Sequence, residues 1–317
     1  MAESDRSVLA SVVVPCRGQS VELGRCLRSL VRQSLRGQGE IIVADAAADP
    51  EVLAVAEAQP GVRIVRQHEG LSPGAARNLG ARCAAGKYLA FIDSDCIADP
   101  LWLQSVVDAL DAGAVMVGGP VLDAYPHDLI AVADNFLQFY EYPPRRSEGS
   151  TRKLPGCNLA IRRVVFEEAG RFCEDLLVGE DTALTVAIAT AWPKRSRFVR
   201  SMRVRHAGRS TLRELWRHHQ EFGFYRGLLG QEIDPVHQLM GRSRWFYAPA
   251  IVGRTKNILV RSLQLGPPQL LKAVILAPLW LTGLVAWAVG FRRGCLKAAS
   301  NGFGGVPVGS IANEDGC

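Results

Sequence analysis

Strand-like and helix-like segments alternate from residue 8 to residue 121, and this alternation constrains the fold more than any other feature of the chain. Short apolar runs rich in β-branched residues predict strands at 11–15, 40–45, 62–67, 88–93 and 115–121. The segments between them have helical spacing of apolar residues, or a Pro that follows a capping Ser or Asp. This pattern predicts an α/β fold in which a mostly parallel sheet is flanked by helices.

Polar residues lie at the carboxyl ends of three of these strands. They are Pro15 and Arg17 at the end of the first strand, Asp45 at the end of the second, and Asp93, Ser94 and Asp95 at the end of the fourth. In open α/β sheets, ligands bind outside the carboxyl ends of the strands. The sequence therefore predicts that these residues share one binding edge.

Asp93 and Asp95 form a D-x-D pair, and a lone pair of this kind supports only helix capping. Asp99-Pro100 is predicted to supply the cap of the next helix, which leaves the two acids for another role. Carboxylate oxygens are hard ligands that favour Mg²⁺ or Mn²⁺ over zinc. With Arg77 in the nearby segment GAARNLG, the acids are expected to form a pocket for a diphosphate.

Glu180 and Asp181 form a second acidic pair, in LLVGEDTAL. Acidic residues at a helix N-terminus favour the helix dipole, which is one interpretation of the pair. The other is catalytic, with a carboxylate that takes the proton of an acceptor hydroxyl. His206 also has two interpretations. It is either a packed histidine or a functional one, as a third metal ligand or a hydrogen-bond donor to a pyrophosphate.

Charged residues are distributed unevenly along the chain. Residues 1–191 carry a net charge of −7 and residues 192–297 a net charge of +15. The basic part predicts contact with phosphates, either in lipid head groups or in nucleic acid. In the segment RHHQEFGFYR, Arg217 and Arg226 could bind a phosphate of an acceptor, although a solvated basic helix face explains them as well.

Residues 273–291 contain no charged side chain and are long enough to span a membrane. We predict a transmembrane helix here, after a basic amphipathic membrane-proximal region at 228–272 and before a tail at 292–317. A buried core helix is the alternative. Pro278 and Gly283 interrupt the segment, so an in-plane or re-entrant helix is a further possibility.

Five motifs occur in an order and spacing that resemble family 2 glycosyltransferases. They are VVVPCR, IIVADAAAD, GAARNLGARCAAGKYLAFIDSD, GCNLAIRRVVFEEAG and VGEDTAL. The resemblance covers about residues 8–227, with a nucleotide and metal half at 8–121 and an acceptor half at 122–227. It implies a GT-A fold and the transfer of a sugar from a nucleotide-sugar donor with inversion at the anomeric carbon.

The resemblance also implies roles for individual residues. Asp45 corresponds to the acid that contacts the nucleotide base, Arg77 to a basic residue near the nucleotide, and Asp93 to an acid near the ribose. Asp95 corresponds to the acid that binds Mg²⁺ or Mn²⁺, with His206 as a candidate further ligand, and Asp181 to the catalytic base. Residues expected on the acceptor side are Cys157, Asn158, Glu180, Arg217 and Arg226.

Two departures from the family pattern limit what the resemblance implies. The common D-D-G-S-T-D motif is replaced by ADAAAD at 44–49, which puts the base of the donor in doubt. The Q-x-x-R-W motif of processive synthases has no good match, so transfer of one or a few sugars is expected. The expected partners are a nucleotide sugar, a glycan or lipid-linked acceptor, and the inner or plasma membrane with a cytoplasmic catalytic domain, but not nucleic acid.

Other classes of protein fit less well. A sugar nucleotidyltransferase needs a Gly-rich loop containing Lys after the first strand, where this chain has CRGQS. A dehydrogenase needs G-x-G-x-x-G, which GAARNLGA does not supply. None of the eight cysteines forms a C-x-x-C pair, which argues against a zinc ribbon. A membrane-tethered binding protein that uses its basic half on anionic lipid explains the charge but gives the acids no role.

Overall fold

A computed structural model of the protein describes residues 8–18, 20–33, 38–67, 70–233, 243, 245 and 247–300. Parts of the predicted segments 228–272 and 292–317 lie outside these ranges. Within them, residues up to Ala124 and from Pro144 to His206 form one compact unit. Residues from Tyr125 to Pro143 and from Ala207 onward form a second. The predicted domain boundaries at 121 and 227 stay predictions.

The first unit contains all the strands among the described residues, together with six helices. The strands are β1 Ala10–Cys16, β2 Gly39–Asp45, β3 Val62–Arg66, β4 Tyr88–Ile92, β5 Cys96–Ala98, β6 Met116–Gly118, β7 Val121–Asp123, β8 Gly149–Ser150, β9 Asn158–Arg162, β10 Ser196–Phe198 and β11 Val204–His206. The helices are α1 Ser20–Leu30, α2 Pro50–Glu57, α3 Pro73–Cys83, α4 Trp102–Asp111, α6 Arg163–Glu168 and α7 Glu180–Ala191.

Two sheets organise this unit. The larger has eight strands in the order β3-β2-β1-β4-β9-β6-β10-β8, and its first four strands are parallel. Strand β9 is antiparallel to both β4 and β6. The smaller sheet has the order β5-β11-β7. The predicted α/β class is confirmed, although the sheet is more mixed than the sequence pattern alone suggested.

Local capping chemistry explains where two of the helices begin. The Asp49 side chain accepts a hydrogen bond from the backbone NH of Glu51, and Ser72 accepts one from Ala75. The third predicted cap is wrong. Helix α4 begins after Leu101 without a side-chain cap, and the Asp99 carboxylate instead pairs with Arg205.

The alternating pattern of residues 197–206 predicts one long strand, and this prediction is wrong. The structure has two short strands, β10 and β11, separated by a turn at Val199–Arg203. Strand β10 joins the eight-stranded sheet beside β6, whereas β11 joins the three-stranded sheet. The alternation of side chains continues across this turn, so the pattern could not reveal that the chain changes sheets there.

The second unit is helical in its described residues. Its helices are α5 Leu129–Phe139, α8 Leu212–Ile233, α9 Tyr247–Gln264, α10 Pro267–Ile275 and α11 Ala277–Ser300. Buried apolar side chains of α11, among them Trp280, Leu284 and Phe291, share one core with residues of α5, α9 and α10. The buried Asp134 of α5 accepts a hydrogen bond from the backbone NH of Arg209 at 3.0 Å and lies 2.9 Å from His219 Nε2.

Helices α8 and α11 pack at very short range through glycines on both helices. A Cβ atom added at Gly223 or Gly227 of α8 would lie 2.0 or 2.2 Å from a carbonyl oxygen of α11. One added at Gly290 or Gly294 of α11 would lie 1.9 or 2.1 Å from a carbonyl oxygen of α8. Although no other segment of the sequence is comparably apolar, residues 277–291 do have a partner helix, because small residues rather than apolar bulk create this contact.

Replacing Gly290 by Ala is expected to destabilise the protein. The added methyl group would overlap the Gln220 carbonyl, and overpacking of this kind costs about 1–3 kcal/mol. Gly253→Ala in α9 is the matched control, because a Cβ there meets nothing within 4 Å and Ala favours a helix over Gly. Urea denaturation measures both variants. Equal stability of Gly290→Ala and Gly253→Ala would contradict the close packing.

The continuous helix predicted over 273–291 is divided in the structure. Residues 273–275 end α10 and residues 277–291 belong to α11, and the two helices meet at an angle of 71°. In the described part of the chain, no single helix is both long and apolar enough to cross a membrane, although this bent pair passes the same test when it is taken together.

Candidate functional site

Three parallel strands bring the first group of predicted residues to one edge of the large sheet. Cys16 at the end of β1 lies opposite Asp45 at the end of β2, and Val13 lies opposite Phe91 of β4. Asp93 therefore leaves its strand beside the end of β1. Pro15 lies in β1 opposite Ala44, Arg17 is exposed just beyond the strand, and Ser94 is buried. The predicted convergence of these strand ends is present.

Asp45 is fully buried and held by the protein on both of its oxygens. The backbone NH of Ala47 donates to Oδ1 at 3.1 Å, and Arg66 Nε lies 3.1 Å from Oδ2. Arg66 ends β3, the parallel neighbour of β2, so the sheet itself supplies the cation. The sequence interpretation missed Arg66, although its position at the end of the adjacent strand was a usable signal.

Arg77 joins the two acidic motifs. Its Nη2 atom lies 2.7 Å from Asp93 Oδ1, and its Nη1 atom lies 2.6 Å from Glu180 Oε1. The arginine side chain is only 5% exposed, so both contacts are screened from water. Burial alone would lower the pKa of Arg77, but the charges of Asp93, Glu180 and Asp181 raise it. Its predicted contact with a nucleotide stays a prediction.

Asp181 is held in the first turn of α7. Its Oδ2 atom accepts a hydrogen bond from the backbone NH of Gly156 at 2.8 Å, and its Oδ1 atom accepts one from the NH of Thr182 at 2.5 Å. The helix begins after Gly179, whose φ of +89° suits glycine better than other residues. Asp181 is partly exposed whereas Glu180 is buried, so Asp181 is the acid of the pair that solvent reaches.

Burial, followed by the charge of Asp181, raises the pKa of Glu180 against the opposite effect of Arg77. We expect Glu180→Gln to lower the free energy of unfolding by about 1.5–3 kcal/mol, because Arg77 loses a charge-assisted hydrogen bond at a buried position while it keeps its contact with Asp93. Glu168→Gln, at an exposed position of α6, should change it by less than about 0.5 kcal/mol. Urea denaturation compares the two variants. A Glu180→Gln variant as stable as the wild type would show that the ion pair does not hold the motifs together.

Asp95 lies beside His206 and Cys96. The carboxylate of Asp95, the sulfur of Cys96 and a ring nitrogen of His206 lie within 4.8 Å of one another, and His206 Nε2 is 3.5 Å from Asp95 Oδ1. Pairing of β5 with β11 explains this, since His206 lies opposite Cys96 in the small sheet. An oxygen, an imidazole nitrogen and a sulfur at this range fit a divalent cation.

Cys96 was not anticipated as part of this cluster, although it directly follows Asp95. Burial raises the pKa of its thiol well above the usual value, and the neighbouring thiol of Cys157 adds to that rise. Neither cysteine is exposed to solvent. Cys157 is thus a buried neighbour of Cys96. Its predicted role on the acceptor side stays a prediction.

Asn158 is buried, and its side chain makes three hydrogen bonds within the first unit. Its amide nitrogen donates to the carbonyls of Pro120 at 3.1 Å and Met202 at 2.9 Å. Its amide oxygen accepts from Trp102 Nε1 at 2.9 Å. These bonds give Asn158 a structural role, and its expected contact with an acceptor is not tested by them. Arg217 and Arg226 belong to α8 in the second unit, and their predicted role also stays a prediction.

Two curated proteins are similar to about half of the chain. "Glycosyltransferase AglE" of Haloferax volcanii is 28% identical over 181 residues, which are 55% of this chain and 59% of that protein. "Succinoglycan biosynthesis protein ExoO" of Rhizobium meliloti is 28% identical over 195 residues, which are 54% of this chain and 53% of that protein. The chain thus spans little more than half the length of these two relatives.

A solved structure supports the fold. The mannosyltransferase PcManGT of Pyrobaculum calidifontis, in complex with GDP-Man and Mn²⁺, is similar with a TM-score of 0.50 and 18% identity, over 95% of this chain and 77% of that one. The GT-A-like arrangement implied by the motifs is therefore confirmed at the level of the fold. The family model of glycosyl transferase family 2 matches residues 11–170, which include β1 to β9 and the D-x-D pair. Because that match covers half of the chain, the protein belongs to glycosyl transferase family 2.

Proposed function

We propose that this protein transfers a sugar from a nucleotide-sugar donor to a hydroxyl group of an acceptor, with inversion at the anomeric carbon. One observation carries the proposal most strongly. The buried Arg77 links Asp93 at the carboxyl edge of the sheet to Glu180, the direct neighbour of Asp181. One buried arginine therefore connects an acid suited to a donor with the helix turn that carries the acid suited to an acceptor.

The donor is expected to lie along the carboxyl ends of β1, β2 and β4. Asp45 is proposed to contact the base, Asp93 the ribose, and Pro15, Arg17 and Ser94 the surrounding parts of the nucleotide. The structural relative that holds GDP-Man and Mn²⁺ supports a nucleoside diphosphate sugar as the donor class. Arg77 already contacts Asp93 and Glu180. We therefore expect it to position these two acids more than to bind the phosphates of the donor.

Asp95 and His206, next to Cys96, would hold a divalent cation, Mg²⁺ or Mn²⁺. When bound, such a cation neutralises charge on the diphosphate of the donor. Asp95 supplies the charged oxygen ligand, and His206 is held beside it by the β5–β11 pairing. The mutual proximity of these groups is the structural support for this part of the proposal.

Asp181 is proposed to act as the general base. As the acceptor oxygen forms a bond to the anomeric carbon, its proton moves to the Asp181 carboxylate. The bond from that carbon to the diphosphate oxygen breaks, and its electron pair leaves with the nucleoside diphosphate. The NH groups of Gly156 and Thr182 orient the carboxylate.

We further propose a lipid-linked acceptor or a cell-envelope glycan, used at the cytoplasmic face of a membrane. The net charge of +15 over residues 192–297 suits an anionic surface. Cys157, Asn158, Glu180, Arg217 and Arg226 stay our candidates for the acceptor side. One relative is named for succinoglycan biosynthesis, which is consistent with a glycan product.

A thermal-shift screen tests the proposed donor class. Full-length protein is heated with UDP-, GDP-, ADP-, CDP- and dTDP-sugars, each with and without Mn²⁺. A donor present at 100 times its Kd adds about 2.7 kcal/mol to the stability of the native state, so at least one of these sugars should raise the Tm in a Mn²⁺-dependent way. A cooperative melting curve that no nucleotide sugar shifts would contradict the proposal.

A further inference from the structure

Helices α9 and α10 of the second unit carry exposed rows of large apolar side chains. On α9, Val252, Val260 and Leu263 are 66%, 45% and 64% exposed. On α10, Leu271, Val274 and Ile275 are 60%, 57% and 63% exposed, and their i, i+3, i+4 spacing places them on one helix face. We call these six residues the apolar rows. Contiguous exposed apolar surface of this kind marks an interaction site.

The same two helices are basic and contain no acidic residue. Their charged side chains are Arg254, Lys256, Arg261 and Lys272. Lys256 is exposed and lies one helical turn from both Val252 and Val260, so a cation interrupts the apolar row itself. Long basic side chains can extend their charge beyond an apolar contact, which suits a partner with apolar and anionic layers.

In the described part of the second unit, the long apolar helix α11 is largely packed against protein. In α11, the large side chains of Trp280, Leu284 and Phe291 are buried in the core of the unit. The glycine face of the same helix is covered by α8. The chain also bends by 71° between α10 and α11, so the exposed apolar side chains of α10 do not continue along α11. Helices of this kind lie in the plane of a membrane surface rather than across it.

We propose that the apolar rows dock onto an anionic lipid bilayer, with α9 and α10 lying in the plane of its surface. The apolar side chains enter the boundary between head groups and acyl chains, while Lys256, Arg261 and Lys272 contact lipid phosphates. The inference deepens the proposed function and rests on it only in naming the bilayer as the place of the acceptor. An anionic bilayer supplies both the apolar layer and the charge that these helices match.

Vesicle flotation with the full-length protein tests this docking. One set of vesicles contains phosphatidylcholine and phosphatidylglycerol in equal parts, and the other contains phosphatidylcholine alone. The protein should float with the anionic vesicles, and high salt should weaken that binding. Ile275→Asp should reduce it about tenfold or more, because an apolar side chain that would enter the bilayer is replaced by a charge. Lys256→Gln should reduce it by roughly fivefold.

Val164→Asp is the matched control. Val164 lies on α6 in the first unit and is 63% exposed, as Ile275 is, so an aspartate there should leave flotation unchanged. Equal binding of Ile275→Asp and Val164→Asp, or equal binding to both sets of vesicles, would overturn the proposal. The proposal would also be overturned if the wild type were a dimer that Ile275→Asp converts to monomers without a change in flotation. The apolar rows would then join two copies of the chain.

Donor binding separates this inference from the proposed function. Ile275→Asp should keep the Mn²⁺-dependent rise in Tm that nucleotide sugars cause in the wild type, because Ile275 belongs to a different unit from the candidate donor residues. Flotation without any donor-induced rise in Tm would refute the proposed transfer and keep the docking. A donor-induced rise without flotation would refute the docking alone.

Discussion

Asp181→Asn is expected to lower kcat by about 10²–10⁴-fold, which is the usual contribution of a general base. Asparagine keeps the shape of the side chain, and its amide oxygen can still accept a hydrogen bond from Gly156 or Thr182. It cannot accept the proton of the acceptor hydroxyl. The affinity for the donor should stay near the wild-type value, because Asp45 ends β2 and Asp93 and Asp95 follow β4, whereas Asp181 belongs to α7.

Glu180→Gln is the control for this rate measurement. Glu180 is buried against Arg77, so its replacement should affect stability more than kcat. Steady-state kinetics of the two variants, together with donor titrations, separate the roles of the two neighbours. An Asp181→Asn enzyme that turns over at nearly the wild-type rate would remove Asp181 from the mechanism.

Asp95→Asn is expected to weaken Mn²⁺-dependent binding of a nucleoside diphosphate by about a hundredfold or more, since a bound metal contributes several kcal/mol of charge stabilisation. The replacement removes the only full negative charge among the three groups that could hold the cation, namely Asp95, Cys96 and His206. Calorimetric titration with the diphosphate, with and without Mn²⁺, measures the effect. Binding in the absence of the metal should change little.

Asp108→Asn is a suitable control for the loss of one negative charge. Asp108 is exposed on α4 of the same unit and accepts a hydrogen bond from Gln104. Its replacement should leave the metal dependence unchanged. The assignment of Asp95 as a metal ligand would fail if Asp95→Asn bound the diphosphate with the same metal dependence as Asp108→Asn.

The edge of the sheet could be predicted from sequence because it depends on local patterns. Alternating strands and helices predicted parallel strands, and parallel strands bring their carboxyl ends together. Asp45, Asp93 and Asp95 follow from this rule with no knowledge of distant contacts. The caps at Asp49 and Ser72 are confirmed for the same reason, since each acts on a backbone NH only two or three residues away.

The contacts that complete the site are long-range and were not predictable in the same way. Arg77 and Glu180 are 103 residues apart, and no periodic pattern connects them. Asp99 was expected to cap a helix but pairs with Arg205, because the turn between β10 and β11 brings that strand into the small sheet beside β5. His206 reaches Asp95 and Cys96 through the same pairing.

The helical unit shows a different limit. Hydrophobicity correctly identified residues 273–291 as an unusual segment. It did not reveal how these residues pack. The glycines at 223, 227, 290 and 294 carry no hydrophobic signal, yet they allow α8 and α11 to approach closely. A search for small residues four positions apart on both helices would have identified this contact.

The anomeric configuration of the first product tests the central claim most directly. Wild-type protein is incubated with the nucleotide sugar that stabilises it, a divalent metal and a hydroxyl acceptor, and the new glycosidic bond is examined by NMR before any secondary reaction. A single displacement assisted by Asp181 predicts that every product molecule has the configuration opposite to that of the donor. A product that retains the configuration of the donor would contradict this mechanism.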